Sequence, residues 1–377
     1  MDFEFSEEQR LLKDSVERLL SEQYDFEARR KYAQEPGGFS RKLWQQYAEL
    51  GLLALAFEEK YGGIGGGPVD TMIVMEAFGR ALVLEPYFAT AVLAGSLLRL
   101  GGSAAQRDAL LPKIAGGELP MAFAHAERQA RYNLSDVATA ARKDGGNFVL
   151  DGSKTLVIHG DSAAKFIVSA RLAGGRNDPK GLGLFLVDAD AKGLSRRGYA
   201  TIDGQRAAEL TLSGVRVAAD AAIGEPGNAF PLIERVADIA IAAQCAEAVG
   251  AMAAIEEITV DYLKTRKQFG QPIGNFQVLQ HRAAEMLIAL EQARSMAMLA
   301  AMTADDENAE ERRKAISAAK VQICNSSRIV GQQAIQLHGG IGMTMEYKVG
   351  HYFKRVTAIQ AQFGDAVHHL NLLARAS

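Results

Sequence analysis

The feature that most restricts this chain is a change of hydrophobic period that occurs twice. Residues 1 to about 118 carry apolar side chains at helical spacing, as at Leu11, Leu12, Val16, Leu19 and Leu20, the repeat that lines one face of a helix. From about 119 to 227 the repeat shortens to two. FVLDG, KTLVIHG, KFIVSAR, LGLFLVD and AAELTLSGV alternate or run β-branched between turn signals such as Asp144-Gly145-Gly146-Asn147 and Asp151-Gly152, as strands do. From 228 onward the long period returns, in runs over 230–267, 276–304, 310–337 and 347–376. The order predicts a mainly α protein with an inserted β-domain, divided as 1–118, 119–227 and 228–377. Short strands with no helices between them predict an antiparallel barrel or sandwich. Four long runs with short connections predict a helix bundle.

Local signals sharpen this outline. Ser6-Glu7-Glu8-Gln9 is a capping-box pattern, and helices are expected over 41–50, 69–82, 86–100 and 104–114, each closed by Gly or Pro. The linker YGGIGGGP has no strand before it and no Lys-Ser/Thr after it, so it reads as a tight turn rather than a phosphate loop. Met286, Met296, Met298 and Met302 read as core or interface filler.

Composition narrows the class. With 377 residues the chain has room for two or three domains, and a net charge of −3 leaves no electrostatic footprint for nucleic acid or membrane. Cys245 and Cys324 lie in apolar helical runs, which predicts buried free thiols. No apolar run is read as approaching the roughly 20 residues of a membrane span. The stretch MDFEFSEEQR is too acidic for a targeting peptide, and a cytoplasmic protein is expected. No metal site is expected: Glu-x-x-His pairs are absent despite His368 and His369 following Asp365, and His281, His338 and His351 read as satisfied helix-end or interface residues. No G-x-S-x-G turn is present.

Two stretches do not reduce to core building. In DYLKTRKQFGQPIGNFQVLQ, over 261–280, Arg266 and Phe269 stand three residues apart, a spacing that shares a helix face. A guanidinium beside a ring suits a phosphate next to a planar group. The pattern breaks at Gly270, Pro272 and Gly274 and restarts at Asn275. In QLHGGIGMT, over 336–344, Gly339, Gly340 and Gly342 remove side chains where a ligand backbone could come close.

RKQFGQPIGNFQ followed some sixty residues later by QLHGGIGMTMEY resembles the C-terminal domain of the acyl-CoA dehydrogenase family of flavoproteins. The similarity covers essentially the whole chain and is greatest to the small subunit of heteromeric pimeloyl-CoA dehydrogenases. The resemblance implies an N-terminal helical domain, a middle β-domain and a C-terminal four-helix bundle. It also implies FAD as cofactor and α,β-dehydrogenation of an acyl-CoA thioester, a carboxylate taking the α-proton while the β-hydrogen leaves as hydride. Carried over by position, Arg266, Phe269, Gln336, Gly339 and Gly340, with Gln277 in addition, reach across a subunit interface to FAD seated on a neighbouring chain.

Other positions depart from the family. Its Thr-Glu-Pro and Gly-Ser-Asp segment is replaced by Ala126-Glu127-Arg128 and, three residues late, Leu134-Ser135-Asp136. Its Trp-Ile-Thr is replaced by Leu156-Val157-Ile158 after Gly152-Ser153-Lys154. Glu127, Ser135 and Asp136 survive, while the hydroxyl and indole at the flavin edge are lost. In Gln362-Phe363-Gly364-Asp365, Phe363 stands where the base is usual. Relatives that place the base on the first bundle helix match Ala237 here, with Asp238 as the neighbouring carboxylate, so no catalytic residue is assigned. The expectation is a small subunit that supplies FAD contacts to a second acyl-CoA dehydrogenase subunit in a heterotetramer. The alternatives are a self-sufficient homotetramer with Asp238 as base, or a non-catalytic acyl-CoA-binding or scaffold protein. For a dicarboxylyl-CoA such as pimeloyl-CoA, Arg128, Arg131, Arg196 and Arg197 are the β-domain cations available to a distal carboxylate.

Overall fold

The computed structural model describes residues 5–376; residues 1–4 of the acidic N-terminal stretch lie outside the described residues. Helices α1 (Glu7–Gln23), α2 (Phe26–Tyr32), α3 (Arg41–Glu49) and α4 (Pro68–Ala81) are followed by a π-helical segment, Phe88–Ala94, that runs into α5 (Gly95–Gly101), and then by α6 (Ala104–Ala115). The capping pattern forms as read: Ser6 Oγ accepts from Gln9 N at 3.2 Å, and Gln9 Oε1 accepts from Ser6 N at 3.1 Å. The π-helical segment differs from the single α-helix expected over 86–100, because apolar periodicity alone does not separate the two windings.

Strands β1 (Met121–Ala124), β2 (Ala140–Asp144), β3 (Asn147–Ile158), β4 (Lys165–Arg171), β5 (Leu182–Asp188), β6 (Leu194–Ala200), β7 (Arg206–Ala218) and β8 (Ala222–Gly227) form the middle domain. Their order is β6-β7-β3-β2-β4-β5-β8, with β1 on β4. Only Ala140↔Arg171 joins β2 to β4, so the sheet is two halves meeting at one residue pair. Phe148 and Phe185, one from each half, pack with ring centroids 4.9 Å apart inside a shared apolar core. The expectation of a purely antiparallel sheet is corrected: β1 and β4 pair in parallel. The whole β2–β3 hairpin lies between them in sequence, giving the long crossover that a parallel pair needs.

The chain then forms α7 (Phe230–Thr265), a short hairpin β9 (Lys267–Gln268) and β10 (Gln271–Pro272), α8 (Gln277–Thr303), α9 (Ala309–His338), α10 (Val349–Ala361) and α11 (Ala366–Ala376). The run expected as one helix over 347–376 is therefore two. Phe363 and Gly364 have φ of 56° and 109°, which an α-helix does not allow. Asp365 Oδ1 accepts from His368 N at 2.9 Å, starting α11 afresh. The reading of apolar runs also needs amendment. An 18-residue window of α7 has a mean hydropathy of 1.4, enough by length and composition to cross a membrane, and all of it is buried inside the protein. A helix apolar on every side is one that is covered on every side.

By packing, the residues fall into two compact units: Met1–Lys31 with Gly67–Val83 and Ile241–Ser377, and Tyr32–Gly66 with Leu84–Ala240. In the first, α4 and α7 touch through backbone. A Cβ added to Gly79 would lie 1.9 Å from Glu247 O, and one added to Gly250 would lie 1.8 Å from Glu76 O. Glu247 of α7 also forms a buried two-pronged pair with Arg355 of α10, at 2.6 and 2.7 Å. The α8 helix packs Met286, Ala289, Leu290, Ala293 and Ala297 inward, yet leaves Val278, Leu287, Ile288 and Met302 exposed. Cys245 and Cys324 are buried free thiols; burial pushes the Cys245 thiol up to about 12.

Candidate functional site

In the first unit α7 ends at Thr265, and Arg266 opens a hairpin rather than a further helical turn. Phe269 and Gly270, with φ of 55° and 80°, are the two central residues of its turn, the pair of left-handed conformations that matches strand twist. Ile273 N donates to Arg266 O at 2.8 Å and closes the hairpin. The expectation that Arg266 and Phe269 share a helix face is thus corrected, because Gly270 favours the turn over helix continuation. The Phe269 ring is 90% exposed, meeting Phe276 edge-on at 6.0 Å. Arg266 is exposed, and its guanidinium makes no hydrogen bond or ion pair among the described residues.

Gln336 and Gln277 are exposed as well, near the end of α9 and at the start of α8. Gly339 ends α9 with φ 62°, and a Cβ placed on Gly339 or Gly340 would meet nothing within 4 Å. Their backbone faces open space. His338, between them and Gln336, is buried and stacks on Tyr262 at 4.5 Å. Its Nδ1 donates to Ala334 O at 2.8 Å, while Nε2 is buried with no hydrogen-bond partner among the described residues. His338 stands at the helix end as read, with Nδ1 satisfied and Nε2 left without a partner among the described residues.

The α10–α11 turn belongs to the same unit. Lys320 is completely buried, and its Nζ donates to Ile359 O at 2.6 Å and Gln362 O at 2.9 Å, a cation at a helix C-terminus. His369 Nε2 donates to Phe363 O at 3.0 Å, and its Nδ1 accepts from Ser317 Oγ at 3.1 Å. Gln244 Nε2 bonds Gln362 Oε1. The turn is fastened at Ile359, Gln362 and Phe363, and the Phe363 side chain packs on the apolar core of the unit. A benzyl group there accepts no proton.

In the second unit, the survivors Glu127, Ser135 and Asp136 are all buried. Glu127 Oε1 accepts from Lys154 Nζ at 2.7 Å, Thr139 Oγ1 at 2.6 Å and Thr139 N at 3.0 Å; Oε2 accepts from Ala138 N at 2.8 Å and Gln129 Nε2 at 2.6 Å. Burial alone would raise this carboxyl, but the Lys154 ammonium and these donors outweigh it and hold it at about 2. Ser135 Oγ donates to Asn177 O at 2.9 Å, and Asp136 pairs with Arg176 at 2.8 Å. Arg171 fastens the same loop by donating to Ser135 O and Val137 O, at 2.8 and 3.0 Å. These side chains hold the loop rather than point out of it. Leu156 lies in a bulge of β3 with φ 48°, and it is 42% exposed. Asp238 is buried at 5% exposure on the first part of α7. Among the described residues, no group of three or more His, Cys, Asp or Glu side chains is placed to hold a metal ion.

The comparisons agree with this architecture. Models of the acyl-CoA dehydrogenase N-terminal, middle and C-terminal domains match residues 6–118, 122–215 and 232–377. FadE12 of Mycobacterium tuberculosis is 33% identical over 316 residues, 82% of this chain and 80% of the relative. A variant of the Tcur3481-Tcur3483 steroid ACAD is 31% identical, covering 98% of this chain and 97% of that one, with a TM-score of 0.88. The ChsE4-ChsE5 complex from Mycobacterium tuberculosis shares the fold at 24% identity and a TM-score of 0.88, covering 100% of this chain and 98% of that one. The chain belongs to the acyl-CoA dehydrogenase family, flavin-dependent oxidoreductases that use FAD.

Tested against FAD, the two units differ. The unpaired guanidinium of Arg266, the exposed ring of Phe269 and the open space over Gly339 and Gly340 fit the charged and planar parts of a dinucleotide. On the β-domain, Glu127, Ser135 and Asp136 are already committed to internal partners, and Leu156 has neither hydroxyl nor indole to offer a flavin ring.

Proposed function

We propose that this chain is the small subunit of a heteromeric, α2β2 acyl-CoA dehydrogenase that oxidises a dicarboxylyl-CoA such as pimeloyl-CoA. The observation that carries the reading is a contrast within one unit. The residues suited to a dinucleotide face outward, whereas the α10–α11 turn presents Phe363 and is fastened on either side of it. FAD, when bound, supplies the hydride acceptor of the dehydrogenation. Arg266 would hold its phosphates, Phe269, Gln336 and Gln277 would contribute to its binding, and Gly339 and Gly340 would let backbone approach closely. The α-proton goes to a carboxylate of the partner subunit, since Phe363 accepts none. The exposed apolar side chains Val278, Leu287, Ile288 and Met302 of α8 favour an assembled state, because exposed apolar surface marks contact sites between proteins. Two of the similar structures, the Tcur3481-Tcur3483 steroid ACAD and the ChsE4-ChsE5 complex, each name two components.

Co-expression with a second dehydrogenase subunit tests this. The expected product is a yellow, active complex with about one FAD per heterodimer. A yellow and active preparation of this chain alone overturns it.

A further inference from the structure

The outward face of the β-domain carries an arrangement that the FAD contacts do not use. Strand register sets Arg197 of β6 directly opposite Glu209 of β7, with Arg197 Nη2 2.7 Å from Glu209 Oε2. Arg128, from the loop after β1, approaches the other oxygen, Nη2 to Oε1 at 3.5 Å. One carboxylate thus meets two guanidinium groups, leaving a surplus positive charge. The arginines are outermost: their side chains are 83% and 73% exposed, against 29% for Glu209. A guanidinium has five donors in a planar fork, and most of those on Arg128 and Arg197 remain turned to solvent.

Apolar surface lies beside this charge. The β3 bulge between Lys154 and Val157 runs alongside Glu209 and exposes Leu156 in a left-handed conformation, the kind of backbone strain that persists mostly at functional positions. Tyr199, two residues from Arg197 on the same face of β6, is half-buried on this side of the sheet. Arg131 is exposed with no side-chain partner among the described residues, whereas three other arginines of the β-domain are committed elsewhere. Arg196 donates to Ala163 O at 2.9 Å, Arg206 pairs with Asp161 at 2.6 Å, and Arg216 pairs with Asp144 at 2.6 Å.

The geometry points to Arg128 and Arg197 as a receptor for an oxyanion carried on an apolar or CoA-linked ligand, with Glu209 as the internal group that orients both forks. The inference rests on the acyl-CoA reading above and deepens it. Two parts of such a ligand carry the required chemistry: the terminal carboxylate of a dicarboxylyl-CoA, and the phosphates of CoA itself.

Calorimetric titration of the full-length protein with its partner, using pimeloyl-CoA, heptanoyl-CoA, CoA and dephospho-CoA, separates them. The Arg128→Ala/Arg197→Ala double variant is expected to weaken one oxyanion-bearing ligand about ten-fold or more, the worth of a charge-assisted fork. A loss confined to pimeloyl-CoA assigns the terminal carboxylate; a loss shared by every ligand except dephospho-CoA assigns the 3′-phosphate. Glu209→Gln keeps a side-chain oxygen to orient the forks but removes the negative charge that competes with the ligand, and is expected to tighten the same ligand. A merely structural ion pair predicts otherwise: no change in either variant, or weakening in both, and either result overturns the inference, as does the absence of any binding. Dehydrogenation that proceeds with no dependence on these residues sinks this inference alone. Ligand discrimination by a complex that never dehydrogenates sinks the functional reading and leaves the receptor standing.

Discussion

Glu127 Oε1 and Lys154 Nζ lie 2.7 Å apart with both side chains sealed from solvent. Lys154 also donates to Ser169 Oγ at 2.9 Å and His125 O at 3.2 Å. Burial pulls the ammonium down to about 8, against the attraction of Glu127. Removing one partner strands the other. Lys154→Met is expected to destabilise the protein by roughly 3–5 kcal/mol, the range for breaking a buried ion pair, read as a lower denaturation midpoint in urea. An unchanged midpoint would show that the pair contributes little.

Stability should fall on the acid side. His369 is held at about 4, below its ordinary 6.5, first by burial, despite its bond to Phe363 O. The folded state therefore disfavours its protonation, and stability present above pH 6.5 is lost as pH falls toward 4. Glu127, at about 2 against an ordinary 4.5, adds a loss between pH 4.5 and 2. Urea midpoints measured from neutral pH down to pH 4 should decline, and His369→Gln should flatten the decline.

Gly79 and Gly250 mark the closest approach of α4 and α7. Their hypothetical Cβ atoms fall within 2 Å of Glu247 O and Glu76 O, and neither carbonyl is free to move without its helix. Alanine at either site is expected to cost at least the roughly 1–3 kcal/mol of an overpacked core, seen as loss of soluble yield or a lowered unfolding temperature. An alanine at the exposed Gly145 turn, whose Cβ would meet nothing within 4 Å but whose φ is 61°, should cost less.

Arg266→Ala in the assembled enzyme should release FAD, with retention falling about ten-fold for a lost charge-assisted contact. Arg266→Lys should recover part of it, because an ammonium lacks the planar fork. Flavin absorbance per protein after gel filtration measures both. Equal retention in all three proteins would remove Arg266 from the cofactor site.

Asp238→Asn distinguishes the proposed small subunit from a self-sufficient enzyme. In the heteromeric complex kcat should be unchanged while FAD stays bound, whereas loss of turnover with flavin retained would make Asp238 the base.

The helix–strand–helix order, the α1 cap and the RKQFGQPIGNFQ and QLHGGIGMT stretches were legible because local period, caps and glycines are properties of short segments. What the neighbours of a residue do to it was not legible. That Glu127, Ser135 and Asp136 are each committed to an internal partner shows only in the packing. The helix predicted over 347–376 breaks where Lys320, far away in sequence, fastens the carbonyls of Ile359 and Gln362, and where His369, six residues on, fastens that of Phe363. Arg266 and Phe269 left their shared helix face because Phe269 and Gly270 take up a hairpin turn.

The sequence by itself determined which segments are helical or extended, and which side chains are chemically able to hold a phosphate or take a proton. The tertiary structure decided which of those side chains are spent internally, and it alone brought Arg128 and Arg197 onto one carboxylate from separate segments. Backbone preference is set by residues a few positions apart. Burial and charge pairing are set by contacts between residues tens or hundreds of positions apart, which no local pattern encodes.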